Sequence, residues 1–262
     1  MSDSYSQAFM KNKKASLGQN FLRDKQTINK FIEFCQIDSK DIILEIGPGK
    51  GALTKLITNK AKRVICIELD TKLANYIKLR GWRNIKVINN DFLKLDLKDT
   101  IQKKSVTKII GAIPYYISSP IIHKILQEAV PPLREVCLIT QKEFAEKVIP
   151  LKGNKKRSYF TNLIELYANL TTGGTINKKA FYPIPKVDSF YFKFKFKKYP
   201  KNEMEVKKWS VFLHHIFKNP RKKINKKFKK EVLETLGISE NLRPQNLSIE
   251  EIKKLKYNLY HD

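Results

Sequence analysis

The sequence predicts an α/β fold: an open, mostly parallel, seven-stranded sheet with helices on both faces, followed by a small all-α domain. Three observations predict it. Short apolar runs alternate with amphipathic stretches from residue 41 onward. The first run, "IILEIGPGKG", ends in glycines, as the first strand of a doubly wound sheet does. After Pro200 the text turns to lysine-rich helical segments with no strand-like run.

Residues 1–20 are polar and basic and read as an arm, and "TINKFIEFCQI" (27–37) spaces Ile28, Phe31, Ile32 and Cys35 as a helix does. "DIILEIGPG", "RVICIELD", "NIKVINND" and "VTKIIGAIPYY" read as strands. "KGALTKLITNKA" and "TKLANYIKLRG" lie between them as helices, and a helix capped by Ser118 or Ser119 at its start follows the fourth strand. "REVCLITQKEFAEKV" reads as strand then helix, and "SYFTNLIELYANLT" (158–171) and "SFYFKFKFKK" (189–198) as the last two strands. Beyond Pro200, "EMEVKKWSVFLHHIFKN", "PRKKINKKFKKEVLETLG" and "SIEEIKKLKYNL" read as helices, the last with a Ser-x-x-Glu capping box. The expected domains are 1–199 and 200–262.

The chain carries 52 Lys and Arg against 25 Asp and Glu, a net charge of +27. That excess favours a polyanionic partner, nucleic acid first, through counterion release. The basic run 218–230 keeps an apolar stripe at Ile224 and Phe228, so it reads as a folded basic helix whose Arg221, Lys222, Lys223, Lys226 and Lys227 can neutralise phosphates. No apolar run approaches the roughly 18 residues of a membrane span, and no signal-peptide core is visible. The expected location is the cytoplasm and the default state a monomer. Cys35, Cys66 and Cys137 lie far apart in apolar segments, as reduced core residues do. His123, His214 and His215 have no carboxylate or cysteine at metal spacing, so no metal is expected. Trp82 and Trp209 read as core or domain-interface anchors.

Gly47, Gly49 and Gly51 sit where a nucleotide-type ligand meets a doubly wound sheet. Lys50 is followed by glycine rather than Ser or Thr, which argues against a P-loop, and the glycine spacing is tighter than a dinucleotide fold uses. Glu68 ends the second strand, where a carboxylate can accept ribose hydroxyls, and Asp91 ends the third, where one can accept an adenine amine. Glycine loop, Glu and Asp at successive strand ends suit S-adenosyl-L-methionine. The next strand end, "IIGAIPYYISSP" (109–120), should then face the methyl donor. An aromatic amine is a weak nucleophile and needs two acceptors to orient it. A side-chain amide and the carbonyl before a proline can serve, and a following tyrosine can stack on a flipped-out base.

With these residues in hand, the chain resembles the rRNA adenine N6,N6-dimethyltransferase family over nearly its whole length, through "LGQNFL" (17–22), "LEIGPGKGALT" (44–54), "ICIELD" (65–70), "NDFL" (90–93), "GAIPYYISSP" (111–120), "QKEFAEKV" (141–148) and "FYPIPKVDS" (181–189). The helical tail, with "FKNPRKKINKKF" and "LRPQNLSIEEIKKL", resembles the KsgA type that acts on small-subunit rRNA, with the Erm large-subunit type as runner-up. The resemblance implies a Rossmann-like methyltransferase domain, S-adenosyl-L-methionine as cofactor, and dimethylation of two adjacent adenosines near the 3′ end of 16S rRNA on a pre-30S particle. It implies cofactor contacts from Asn20, Leu22, Gly47, Glu68, Asp91 and Ala112, a catalytic corner of Ala112, Pro114 and Tyr115, and base or RNA contacts from Tyr115, Phe181, Arg221, Lys222 and Lys223. The family has asparagine where this chain has Ala112. The expectation is weak or absent methylation, and a ribosome-assembly factor that acts by binding is the alternative. Alanine there has two possible origins, an engineered knockout or a natural member kept for binding, and the intact Glu68, Asp91 and Tyr115 favour the first.

Overall fold

The structure is a computed structural model that describes residues 20–149 and 157–258. Most of the N-terminal basic arm, residues 1–19, lies outside the described residues.

The central sheet has seven strands in the order β4-β3-β2-β5-β6-β9-β7. Its parallel part is β2 (Ile42–Ile46), β3 (Arg63–Glu68), β4 (Ile85–Asn89), β5 (Lys108–Ala112) and β6 (Glu135–Gln141). The last strand, β9 (Ser189–Phe196), runs antiparallel between β6 and the edge strand β7 (Ala168–Ile176). The chain goes from β2 outward through β3 to β4, then returns to place β5 on the other side of β2. The order reverses there, and such a switch point opens a crevice beyond the carboxyl ends of the strands.

Alternation along each strand sends successive side chains to opposite faces. Leu44 and Ile46 of β2, with Ile65 and Ile67 of β3, enter one core, which includes helices α4 (Leu97–Lys104) and α5 (Ser118–Glu128). Ile43, Val64 and Cys66 enter the other, against α1 (Lys25–Phe34) and α2 (Thr54–Thr58). Helix α3 (Thr71–Lys78) follows β3 and starts at Asp70, whose carboxylate accepts from the amides of Lys72 and Leu73. The first core continues through α6 (Lys142–Val148) and α7 (Tyr159–Glu165) into the C-terminal helices α8 (Glu203–Phe217), α9 (Lys230–Thr235) and α10 (Ile249–Asn258), with Trp209, Phe212, Leu233 and Leu255 buried in it. Cys35, Cys66 and Cys137 are buried free thiols. Among the described residues no helix is long and apolar enough to cross a membrane, and no cluster of ligand side chains could hold a metal.

Four details depart from the sequence reading. Residues 159–165, expected in a strand, form α7, because Ser158 and Thr161 build a reciprocal cap that starts a helix, and β7 begins only at Ala168. Neither Ser118 nor Ser119 caps α5. The Ser118 hydroxyl instead donates to the Pro114 carbonyl at 3.3 Å. The expected helix through 218–230 is a series of turns with one 3-10 turn at Ile224–Lys226. Ile224 and Phe228 are buried as expected, but the Ile224 amide donates to the Leu242 carbonyl across a loop, which takes that amide out of a helical ladder. Finally, β1 (Phe21–Leu22) and β8 (Phe181–Tyr182) form a separate two-stranded ribbon, with Phe21 opposite Tyr182 and Leu22 opposite Phe181. The capping box expected at Ser248 is present, with reciprocal bonds between Ser248 and Glu251.

At the amino ends of the strands, away from the crevice, lies a buried ionic cluster. Lys108 at the start of β5 donates to the Cys35 and Gln36 carbonyls and lies 3.3 Å from Asp41 and 3.6 Å from Glu135. Lys193 of β9 donates to the Phe34 carbonyl and pairs with Glu135 at 3.6 Å. Burial alone would raise the pKa of Asp41. The Asp38 amide, the Thr107 hydroxyl, Lys108 and Arg134 outweigh it and hold the carboxyl below its ordinary value. Two ammonium groups thus satisfy the carbonyls that end α1 and face its negative dipole end.

Candidate active site

A cavity of about 590 Å³ lies beyond the carboxyl ends of β2 to β5, within the range of small-molecule and cofactor sites. Gly47, Glu68, Asp91 and Ala112, which follow or end four adjacent strands, line its floor. Pro114 and Tyr115 line it from the turn after β5, and Asn20, Leu22 and Phe181 from the β1–β8 ribbon. Every residue expected at the cofactor and the catalytic corner is therefore in one cavity. Arg221, Lys222 and Lys223 are not; they stand exposed on the turns before α9, and Lys223 bonds the side chain of Asn241.

The glycines set the loop after β2. Gly47 has a φ of +64° and open space where a Cβ would be, which makes a cradle on the cavity side. Gly51 has a φ of +82°, and a Cβ there would meet Ile77 and Trp82 at 2.9 Å, so this position admits no side chain. Glu68 is buried, and its carboxylate is held by the amides of Gly49 and Asp70, each at 3.0 Å. Those bonds fix its orientation and leave a further lone pair on each oxygen. Asp91 caps the short turn Phe92–Lys94 through one oxygen, which accepts from the Leu93 amide at 2.9 Å. Its second oxygen makes no hydrogen bond among the described residues. The floor thus presents two oriented carboxylates and a side-chain-free loop.

At the fourth strand end, the Ile113 amide donates to the Ile139 carbonyl at 3.1 Å, which ties the corner to β6. The Ile113 carbonyl accepts no hydrogen bond among the described residues. Ala112 beside it is half-buried and offers a methyl group. Tyr115 shares a 2.7 Å hydrogen bond with Ser189, and burial pushes its hydroxyl pKa up. Tyr116 is more exposed, and partial burial of its hydroxyl, with a smaller contribution from Asp91, raises its pKa.

The sequence reading missed two residues here. One is Ser189, the hydroxyl partner of Tyr115. Glu45, in the middle of β2, is 1% exposed and lines the cavity; the signal for it was a lone charge inside the apolar run "IILEIG". Burial, and then the Glu68 carboxylate, push its pKa up to about 7, against the bond it accepts from the Cys66 thiol at 3.5 Å. An acid whose folded pKa exceeds its unfolded value keeps its proton longer in the folded protein. Its contribution is complete below about pH 4.5 and is lost as pH rises to about 7. Glu45→Gln is therefore expected to flatten the fall in stability between pH 5 and pH 8, by up to about 3 kcal/mol, in urea unfolding at each pH. An unchanged pH slope would refute this.

A family model described as ribosomal RNA adenine dimethylase matches residues 10–260. The chain belongs to that family. It is 38% identical over 256 residues to the ribosomal RNA small subunit methyltransferase A of Fusobacterium nucleatum, with 92% of this chain and 96% of that protein covered. Its identity to the same enzyme of Mycoplasma mycoides is 38% over 260 residues, covering 93% and 96%. Among solved structures it resembles a dimethyladenosine transferase from Plasmodium falciparum, at a TM-score of 0.74 and 28% identity over 91% of this chain and 98% of that one. It also resembles the 23S rRNA methyltransferase ErmE, at 0.70 and 26% over 92% and 99%. As a dimethylase it takes S-adenosylmethionine as methyl donor. The donor set fits that cofactor: a glycine cradle for a chain that carries no pyrophosphate, and two fixed carboxylates for its hydroxyl and amino donors.

Proposed function

We propose that this chain engages the 3′ region of small-subunit rRNA on a pre-30S particle, as a cytoplasmic monomer, and presents two adjacent adenosines to S-adenosylmethionine. One observation carries this reading: nine residues, from motifs far apart in the chain, line a single cavity. In it, Gly47 would lie against the methionine part of the cofactor, Glu68 would accept from the ribose and Asp91 from the adenine, with Asn20 and Leu22 closing the wall. When bound, the cofactor supplies an electrophilic methyl group. The chain's own residues prepare the nucleophile. Pro114 fixes the backbone so that the Ile113 carbonyl can accept one N–H of the base amine, and Tyr115 and Phe181 hold the base between aromatic rings. A second acceptor is needed to turn the lone pair to the methyl group, and Ala112 cannot supply it.

The small helical unit, residues 200–262, would add phosphate contacts through Arg221, Lys222 and Lys223. Replacing all three by Ala is expected to reduce the slope of log K against log salt by about two to three units, since each phosphate contact releases roughly one counterion. Titrations of small subunits at several salt concentrations read this directly, and an unchanged slope would remove these residues from the interface. Ala112 favours a second reading, in which the chain serves ribosome assembly by binding and its chemistry is secondary. Radiolabelled methyl transfer to unmethylated small subunits, with large subunits as control, tests the two together. Salt-sensitive binding without transfer selects the second, and transfer to large subunits alone refutes both.

A further inference from the structure

We infer that Ser189 is a positioning residue, which fixes the Tyr115 ring against the cavity before a base arrives. The inference rests on the reading of Tyr115 as the base-stacking side chain. Tyr115 begins a 3-10 turn, Tyr115–Ile117, that has no side-chain cap. A ring on such a turn can swing about its Cα–Cβ bond, which would move its hydroxyl by several ångströms. Pro114 restricts the backbone before it but not this rotation.

Ser189 supplies the missing constraint. It is the first residue of β9 and is paired on both sides, with Gln141 of β6 and Ile176 of β7. Its side chain is fully buried, and its hydroxyl has one hydrogen-bond partner among the described residues, Tyr115, at 2.7 Å. The residue before it is anchored too. The Asp188 carbonyl accepts from the Lys142 amide at 3.0 Å, and its carboxylate accepts from the Lys178 amide at 2.9 Å. The mobile end of the tyrosine is thereby bonded to one of the best-held points at this end of the sheet. As a strand residue alone, this position would be served equally well by alanine. The hydroxyl has a use only through Tyr115. The same bond distinguishes Tyr115 from Tyr116, which follows it, is 53% exposed and has no hydrogen bond to its hydroxyl among the described residues. Holding the ring in place beforehand removes an ordering cost from base capture.

The test uses the full chain and an oligoribonucleotide of the small-subunit rRNA 3′ end with 2-aminopurine at one of the two adjacent adenosines. Stacking of that base on an aromatic ring changes its fluorescence. Ser189→Ala and Tyr115→Phe are each expected to lower the stacked-to-unstacked ratio by about fivefold, the worth of one ordinary hydrogen bond. The double variant should lose no more than either single one, and Ser189→Thr should recover most of the signal. Tyr115→Phe leaves the strand untouched, so the comparison stands even if a Ser189 variant folds poorly. Unchanged stacking in Ser189→Ala, or losses that add in the double variant, would overturn the role of Ser189 alone. An original chain that binds the oligonucleotide with no fluorescence change would overturn the stacking role of Tyr115 as well.

Discussion

Ala112→Asn is expected to raise methyl transfer to unmethylated small ribosomal subunits by about 100- to 1000-fold, the usual worth of one preorganised polar group aimed at a transition state. The rest of the corner is already in place. The backbone is tied to β6 through Ile113, the Ile113 carbonyl has no competing partner among the described residues, and Tyr115 is bonded to Ser189. Ala112 borders a cavity of about 590 Å³, which leaves room for an amide side chain. The gain should appear in the rate of the chemical step, with affinity for the particle nearly unchanged, because a single group beside the reacting nitrogen contributes little to a large RNA interface. Equal rates for the two chains would show that position 112 has no part in orienting the amine.

The second large effect concerns stability. Lys108→Met keeps the apolar stem of the side chain and removes its charge, which leaves Asp41 and Glu135 buried with one cation fewer. Breaking a buried pair in this way costs roughly 3 to 5 kcal/mol, and the low end is expected here because Arg134 and Lys193 remain. The variant should also lose the bonds that end α1, whose first turns, through Lys25 and Ile28, line the cavity. Cofactor affinity should therefore fall together with the urea midpoint. As a control, Lys103→Met removes an exposed partner of Asp99 and should change stability by less than about 0.5 kcal/mol. A Lys108→Met chain as stable as that control would show the cluster to be dispensable.

The inner parallel strands were legible because both faces of each are covered, so the runs around Ile43, Val64 and Ile109 read as continuous apolar text, whereas the edge strand β4 leaves Lys86 and Asn89 exposed. The cavity floor was legible for a different reason: an acid at one strand end most often caps a helix, as Asp70 does, but a glycine loop, Glu68 and Asp91 at three successive strand ends together point to a ligand. Residues 158–171 misled because Tyr159, Phe160 and Ile164 have strand-like propensity, and only the Ser158–Thr161 cap decides for a helix. The basic run failed differently. Its Ile224 and Phe228 keep helical spacing, yet the backbone bond from Ile224 to Leu242 spans a sequence distance that no local pattern encodes. The role of Ser189 was invisible for the same reason, because the one partner of its hydroxyl among the described residues is 74 residues away.

The pairing of Leu22 with Phe181 bears on how the protein is made. Translation delivers the cavity floor early, since Gly47, Glu68, Asp91 and Ala112 all emerge in the first half of the chain. The wall has to wait for Phe181. Until that segment leaves the ribosome and finds the strand that preceded it by some 160 residues, the nascent chain has the floor residues proposed to hold the cofactor with no Phe181 beside them. The dimethylase thus gains the wall of this cavity only late in its own synthesis.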